Sequence, residues 1–108
     1  MITWLTGNSG SGKTTKALAI RTNEIILDGD ALRAVWPGLG LTEKDRREQN
    51  LRAARLAKML ELQGFDVIVA TICPYKDLRE QVQKITNCKF VYLEGGKNGP
   101  EYPYESEI

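Results

Sequence analysis

The sequence predicts an α/β fold built on a small, mostly parallel sheet of about four strands, and three observations predict it. Short apolar runs alternate with helical periodicities along the chain, a complete glycine-rich loop lies between the first run and the first helix, and Val67-Ile68-Val69-Ala70 reads as a strand buried on both faces. Such alternation implies right-handed crossovers between parallel strands.

Residues 2–6 form the first apolar run, closed by Gly7, and a Gly/Ser-rich stretch leads from it into a helix over residues 13–20. Residues 24–28 are a second β-prone run stopped by Gly29, after which Asp30 is placed to cap a short helix containing Ala31, Leu32 and Arg33. Pro37, Gly38 and Gly40 then break the chain. Thr42-Glu43-Lys44-Asp45 carries a capping-box start signal, and Leu51, Ala54, Leu56, Ala57 and Leu60 continue a helix to about residue 63, with Gly64 placed to end it. The run over residues 65–72 is apolar throughout its middle, which makes it the central strand. Pro74 opens a helix to about residue 86, with Leu78, Val82 and Ile85 on one face, and residues 89–93 supply the last strand. Beyond it, Gly95, Gly96, Gly99, Pro100 and Pro103 interrupt any period, so residues 94–108 read as an irregular tail.

The chain has 108 residues, 15 Lys+Arg against 14 Asp+Glu, a net charge of +1 and 42% hydrophobic residues. A chain of that length supports one core, so residues 1–108 are expected to be a single domain. Near-neutral charge argues against neutralising a nucleic-acid backbone or an anionic membrane as its main business, and leaves a small anionic ligand open. The only cysteines, Cys73 and Cys88, lack C-x-x-C spacing and there is no histidine, which excludes the usual zinc sets and histidine catalysis. With no apolar stretch near the ~20 residues of a membrane span and no leader-like start, a cytoplasmic location is expected.

Gly7-Asn8-Ser9-Gly10-Ser11-Gly12-Lys13-Thr14, followed by Thr15, matches the phosphate-loop motif G-x-x-x-x-G-K-[ST] in the strand-loop-helix context that gives the motif meaning. Glycines let the backbone wrap so that N–H groups face a β-phosphate at the helix N-terminus. Lys13 brings a point charge to the β- and γ-phosphates, and the Thr14 hydroxyl is the expected Mg²⁺ ligand. The fold class is therefore a P-loop NTPase-type three-layer sandwich. The central strand ends in Ala70-Thr71-Ile72 with no carboxylate, which argues against an ordinary Walker-B ATPase. Asp28 and Asp30, flanking Gly29 at a strand end where ligands gather in open α/β sheets, become the acidic candidates. One would stand by the Mg²⁺ and the other would accept a proton from an attacking hydroxyl, a role compatible with helix capping. Arg46, Arg47, Arg52 and Arg55, with Asn50 among them, read either as a solvated face or as cations turned toward an anionic acceptor.

These residues resemble the adenylylsulfate kinase (APS kinase) family, whose members phosphorylate the 3′-hydroxyl of adenosine 5′-phosphosulfate (APS) with MgATP. The phosphate loop is similar to the family's, Leu27-Asp28-Gly29-Asp30-Ala31-Leu32-Arg33 resembles its L-D-G-D-x-x-R, and Leu39-Gly40-Leu41-Thr42-Glu43-Lys44-Asp45-Arg46 follows its L-G-F-[ST]-x-x-D-R. Val67-Ile68-Val69-Ala70-Thr71-Ile72-Cys73-Pro74-Tyr75-Lys76 follows its V-I-V-A-x-I-S-P-[YH]-R. The resemblance implies that Lys13, Asp28 and Asp30 act at the reacting groups and that Arg33, Cys73, Pro74 and Lys76 line the acceptor nucleotide. It also places an Arg and an Asn of a D-R-x-E-N segment on the acceptor, and Asp45-Arg46-Arg47-Glu48-Gln49-Asn50 admits two registers. Arg47 with Asn50 keeps the residue types and is adopted as the expectation, while Arg46 with Gln49 keeps the spacing to Gly64.

Three departures stand out: Cys73 where the family has Ser, Lys76 where it has Arg, and no Lys/Arg-rich lid after the last strand. Tyr102-Pro103-Tyr104-Glu105 is similar to the family's late D-P-Y-E segment, as though the lid between had been removed. The implied partners are ATP and a small anionic nucleotide, APS, with Mg²⁺ as cofactor, no membrane and no nucleic acid, and a homodimer left open. Two other readings stay beside this one: a kinase for a different small-molecule or nucleotide hydroxyl, and a nucleotide-binding module or slow ATPase that has lost transfer.

Overall fold

The computed structural model describes residues 1–100 and 102–105. Its elements run β1 (Ile2–Thr6), α1 (Lys13–Ile20), β2 (Ile25–Asp28), α2 (Gly29–Val35), α3 (Glu43–Leu62), β3 (Val67–Ala70), α4 (Lys76–Thr86) and β4 (Lys89–Tyr92). The four strands form one sheet in the order β2-β3-β1-β4, with every pairing parallel. Each strand-to-strand connection carries at least one helix, as parallel pairing demands.

Alternation along the strands sorts the apolar residues onto two faces. Ile2 and Trp4 of β1, Val67 and Val69 of β3 and Leu27 of β2 pack with Leu32, Ala53, Ala54, Ala57, Leu78 and Val82 of α2, α3 and α4. Leu5, Ile68 and Ala70 turn the other way and pack on Ala17 of α1. The result is a helix–sheet–helix sandwich, with β3 buried at all four positions as its uniformly apolar run predicts.

Caps explain most boundaries. The Thr42 hydroxyl accepts from the Asp45 N–H at 3.2 Å and starts α3. Gly64, at φ 96°, turns the chain beyond α3, and Asn87, at φ 53°, ends α4 with its N–H on the Gln83 carbonyl. Helix α1 begins at Gly12 with no side-chain cap, which leaves its N-terminal N–H groups free for an anion. Two expected boundaries move. The short helix α2 is capped by Asp28 rather than Asp30: the Asp28 carboxylate accepts from the N–H groups of Asp30 and Ala31 at 3.1 and 3.3 Å, and Asp30 lies inside the first turn. Helix α4 starts at Lys76 rather than Pro74, because Tyr75 holds an extended backbone at φ −105° and ψ 132° and so serves as the N-cap.

The described residues of the irregular tail pack; 101 and 106–108 lie outside the described residues. The Lys97 N–H donates to the Ser9 carbonyl at 2.7 Å, Asn8 Nδ2 donates to the Tyr102 carbonyl at 2.6 Å, and the Tyr104 and Thr6 hydroxyls bond at 2.9 Å. Buried Arg79 holds the end of the described tail: Nη1 donates to the Cys73 carbonyl at 2.9 Å, Nη2 donates to the Glu105 carbonyl, and the guanidinium lies 4.7 Å from the Tyr104 ring centroid. No helix among the described residues is long and apolar enough to cross a membrane.

Candidate active site

Because all four strands are parallel, their C-terminal ends share one edge, and the loops that leave that edge build the site. The loop after β1 is the glycine-rich turn. Gly7 stands at φ 148°, where a Cβ would lie 2.5 Å from the Leu93 carbonyl oxygen, and Gly10 and Gly12 take φ 80° and 90°. A side chain at Gly7 would push the loop off β4. The Ser11 N–H closes the turn on the Asn8 carbonyl at 3.1 Å.

Lys13 folds back over this loop, its Nζ donating to the Asn8 carbonyl at 3.0 Å. Burial lowers its pKa below the ordinary lysine value, and the Asp28 and Asp30 carboxylates oppose that effect. A half-buried ammonium without a full counter-charge gains from an incoming anion. Next to it, Thr14 Oγ1 donates to Asp28 Oδ1 at 2.5 Å, while the other oxygen of Asp28 caps α2. One carboxylate thus ties the phosphate loop to the helix that carries Asp30 and Arg33.

A cleft of about 150 Å³ opens beside the loop, lined by Ser9, Gly10, Lys13, Gly29, Asp30, Arg33, Leu41, Arg46, Gln49, Asn50, Ala70, Thr71, Ile72 and Pro74. Asp30 is largely exposed and ion-paired with Arg33. The floor is polar and bonded throughout. Trp4 Nε1 donates to Thr71 Oγ1 at 3.0 Å, Thr71 Oγ1 donates to Asn50 Oδ1 at 2.6 Å, Asn50 Nδ2 donates to the Arg46 carbonyl at 2.8 Å, and Gln49 Nε2 donates to the Gly29 carbonyl at 2.9 Å. Arg46 Nε is held by the Leu41 carbonyl at 2.7 Å, whereas its Nη1 is buried with no hydrogen-bond partner among the described residues. The Arg46 guanidinium belongs to the cleft wall, where its positive charge favours an anionic occupant.

The expected residues separate into two groups. Lys13, Asp30, Arg33, Asn50 and Pro74 line the cleft with the loop residues Ser9 and Gly10, whereas Thr14 and Asp28 are not among its lining residues and bond each other. Gly7, Asn8, Ser11 and Gly12 form the turn itself, and Thr15 is exposed on α1. Arg47, Cys73 and Lys76 lie outside. Arg47 bonds Glu43 and Asp77 at 3.0 and 2.9 Å and lies 4.5 Å from the Tyr75 ring centroid, and the Asp77 bond raises its pKa. The reason is helical phase: Arg46, Gln49, Asn50, Ala53 and Ala57 share the inward stripe of α3, and Arg47 is a step of about 100° away from it. The Cys73 side chain is fully buried in the core, which pushes its thiol up to about 12, and Lys76 is exposed beside Glu80 and Lys84 of α4. Arg46 and Gln49, the register set aside, and Thr71 take the places at the cleft. A Thr ending an otherwise apolar strand was the available signal for Thr71.

Thr14 and Asp28 present two oxygens at one point, the donor chemistry of a hard divalent cation that draws its other ligands from phosphate and water. Among the described residues there is no cluster of three or more His, Cys, Asp or Glu for a metal held by protein alone.

A model of the adenylylsulphate kinase family matches residues 1–95. The chain is 40% identical over 92 residues to the adenylyl-sulfate kinase of Myxococcus xanthus, an alignment covering 78% of this chain and 49% of that protein. It is 43% identical over 89 residues to a probable adenylyl-sulfate kinase of Pyrococcus abyssi, covering 75% and 51%. The solved APS kinase of Mycobacterium tuberculosis in complex with AMPPNP and APS superposes with a TM-score of 0.71 at 31% identity, over 84% of this chain and 59% of that one. The chain spans about half the length of the curated relatives it matches.

Proposed function

The chain belongs to the adenylylsulphate kinase family, and from that premise we propose that it transfers the γ-phosphate of ATP to the 3′-hydroxyl of APS, a step of sulfate assimilation. The observation that carries the reading is a single cleft lined at once by Lys13, Asp30 and Arg46. Binding of a nucleoside triphosphate alone needs only the loop. An acidic group and a guanidinium lining the same space suit a hydroxyl-bearing, anionic acceptor.

In this reading the loop N–H groups and Lys13 hold the β- and γ-phosphates, and Lys13 exchanges its bond to the Asn8 carbonyl for phosphate oxygen. Thr14 and Asp28 would hold Mg²⁺, which neutralises phosphate charge when bound. Asp30, oriented by Arg33, accepts the proton of the attacking hydroxyl as its oxygen bonds to the γ-phosphorus and ADP leaves in line. Arg46 and Gln49 take the acceptor role first expected of Arg47 and Asn50, and Asn50 with Thr71 supports them from the floor. Catalysis is positioning plus charge stabilisation. The test is ADP release from MgATP that depends on APS and is lost in both Asp30→Asn and Lys13→Ala, and retention by both would remove these roles.

A further inference from the structure

A directed chain of hydrogen bonds runs from the hydrophobic core to the cleft, and its direction is set by a residue that does not line the cleft. Trp4 of β1 is fully buried, and its indole N–H can only donate. It donates to Thr71 Oγ1 at 3.0 Å, so that hydroxyl accepts there and turns its own proton to Asn50 Oδ1 at 2.6 Å. With Oδ1 engaged as an acceptor, the Asn50 amide has one orientation left, and its Nδ2 donates at 2.8 Å to the Arg46 carbonyl, one turn back along α3. Thr71 and Asn50 are each only 4% exposed, so water competes little for these bonds.

The chain ends on the turn of α3 that carries the cleft residues. Arg46 is held at two points, its carbonyl by Asn50 and its Nε by the Leu41 carbonyl at 2.7 Å. Gln49, beside Asn50, is tied to the Gly29 carbonyl at 2.9 Å. Thr71 also reaches the start of α2: a Cβ on Gly29, between Asp28 and Asp30, would lie 3.7 Å from Thr71 Cγ2. One threonine at the end of the central strand thus spaces α3 from α2, with its hydroxyl bonded to one and its methyl turned to the other. The family pattern V-I-V-A-x-I-S-P leaves this position open, so the role belongs to this chain's own residues.

We propose that Thr71 is a positioning residue of the acceptor site: through Asn50 it fixes the rotation of the first turns of α3 and with it the aim of Arg46 and Gln49. The proposal rests on the reading of the cleft as the APS site. Steady-state kinetics on the full chain would compare Thr71→Val, which keeps the shape and loses the hydroxyl, with Thr71→Ser, which keeps the hydroxyl. A double variant, Thr71→Val with Asn50→Leu, makes both bonded groups apolar. Thr71→Val is expected to raise the APS KM about five- to tenfold with kcat and the ATP KM within about twofold, and Thr71→Ser to bring the APS KM back to within about twofold of the wild type. The double variant separates aim from stability: its melting temperature returns toward the wild type because no buried Asn50 amide is left unpaired, while its APS KM stays high. Return of both quantities together would reduce Thr71 to packing and overturn the proposal, as would an unchanged APS KM in Thr71→Val. A wild type whose ADP release does not respond to APS would overturn the acceptor reading itself, and the role of Thr71 with it.

Discussion

Neighbouring arginines with the same charge meet different fates. Arg46 lines the cleft with its Nε held by the Leu41 carbonyl, and Arg47 spends its fork on Glu43, Asp77 and the Tyr75 ring. The account therefore predicts that Arg46→Ala raises the acceptor KM by about 10- to 100-fold with ATP KM little changed, the loss expected for a charge-assisted hydrogen bond. Arg47→Ala leaves the acceptor KM within about twofold of the wild type. Steady-state kinetics with each substrate varied in turn checks both, and the opposite ranking would restore the register that kept residue types. Residue identity was a poor guide here because the helix decides by phase. Lys13, Thr14, Asp28 and Asp30 were legible from the sequence because a fixed spacing in a strand-loop-helix frame leaves the backbone little choice. The burial of Cys73 and the exposure of Lys76 were not, since one is packed in the core by residues distant in sequence and the other opens α4 on its solvent side.

At the scale of elements, Asp28 joins parts the sequence presents separately. One oxygen receives the Thr14 hydroxyl from α1 and the other caps α2, so the Thr14 hydroxyl at the end of the loop and the helix that carries Asp30 share a carboxylate. The roles separate by substitution. Asp28→Asn keeps a good cap and loses the charge, so it retains most of the melting temperature and loses turnover. Asp28→Ala loses both and costs about 1 kcal/mol of stability as well. Thermal melts beside turnover numbers check this, and an Asn variant as active as the wild type would reduce Asp28 to a cap. Element types and order were legible because apolar period and turn residues agree along residues 2–93. The tail was not, because its packing is carried by non-local bonds to Ser9, Asn8, Thr6 and Arg79 rather than by any period of its own.

At the scale of the molecule, the fold has a weakness toward alkali. Burial raises the Cys73 thiol from 9.0 to about 12 and also lifts Cys88 and Tyr104 above their ordinary values. Between pH 9 and the folded pKa of about 12 the unfolded chain has lost the Cys73 proton that the folded chain keeps, so stability falls as pH rises, by about 1 kcal/mol per pH unit. Denaturant midpoints from pH 7 to pH 10.5 are expected to drop above about pH 9 in the wild type and to drop less steeply in Cys73→Ser. Parallel curves would assign the alkaline loss to other groups.

The proposal to be tested is that the phosphate loop and the cleft beside it act on one pair of substrates. ADP release from MgATP, with and without APS and with Lys13→Ala as the blank, tests it most directly. ADP release is expected to rise on adding APS and to stay flat in the Lys13→Ala protein; ADP release that APS leaves unchanged in the wild type would overturn the proposal.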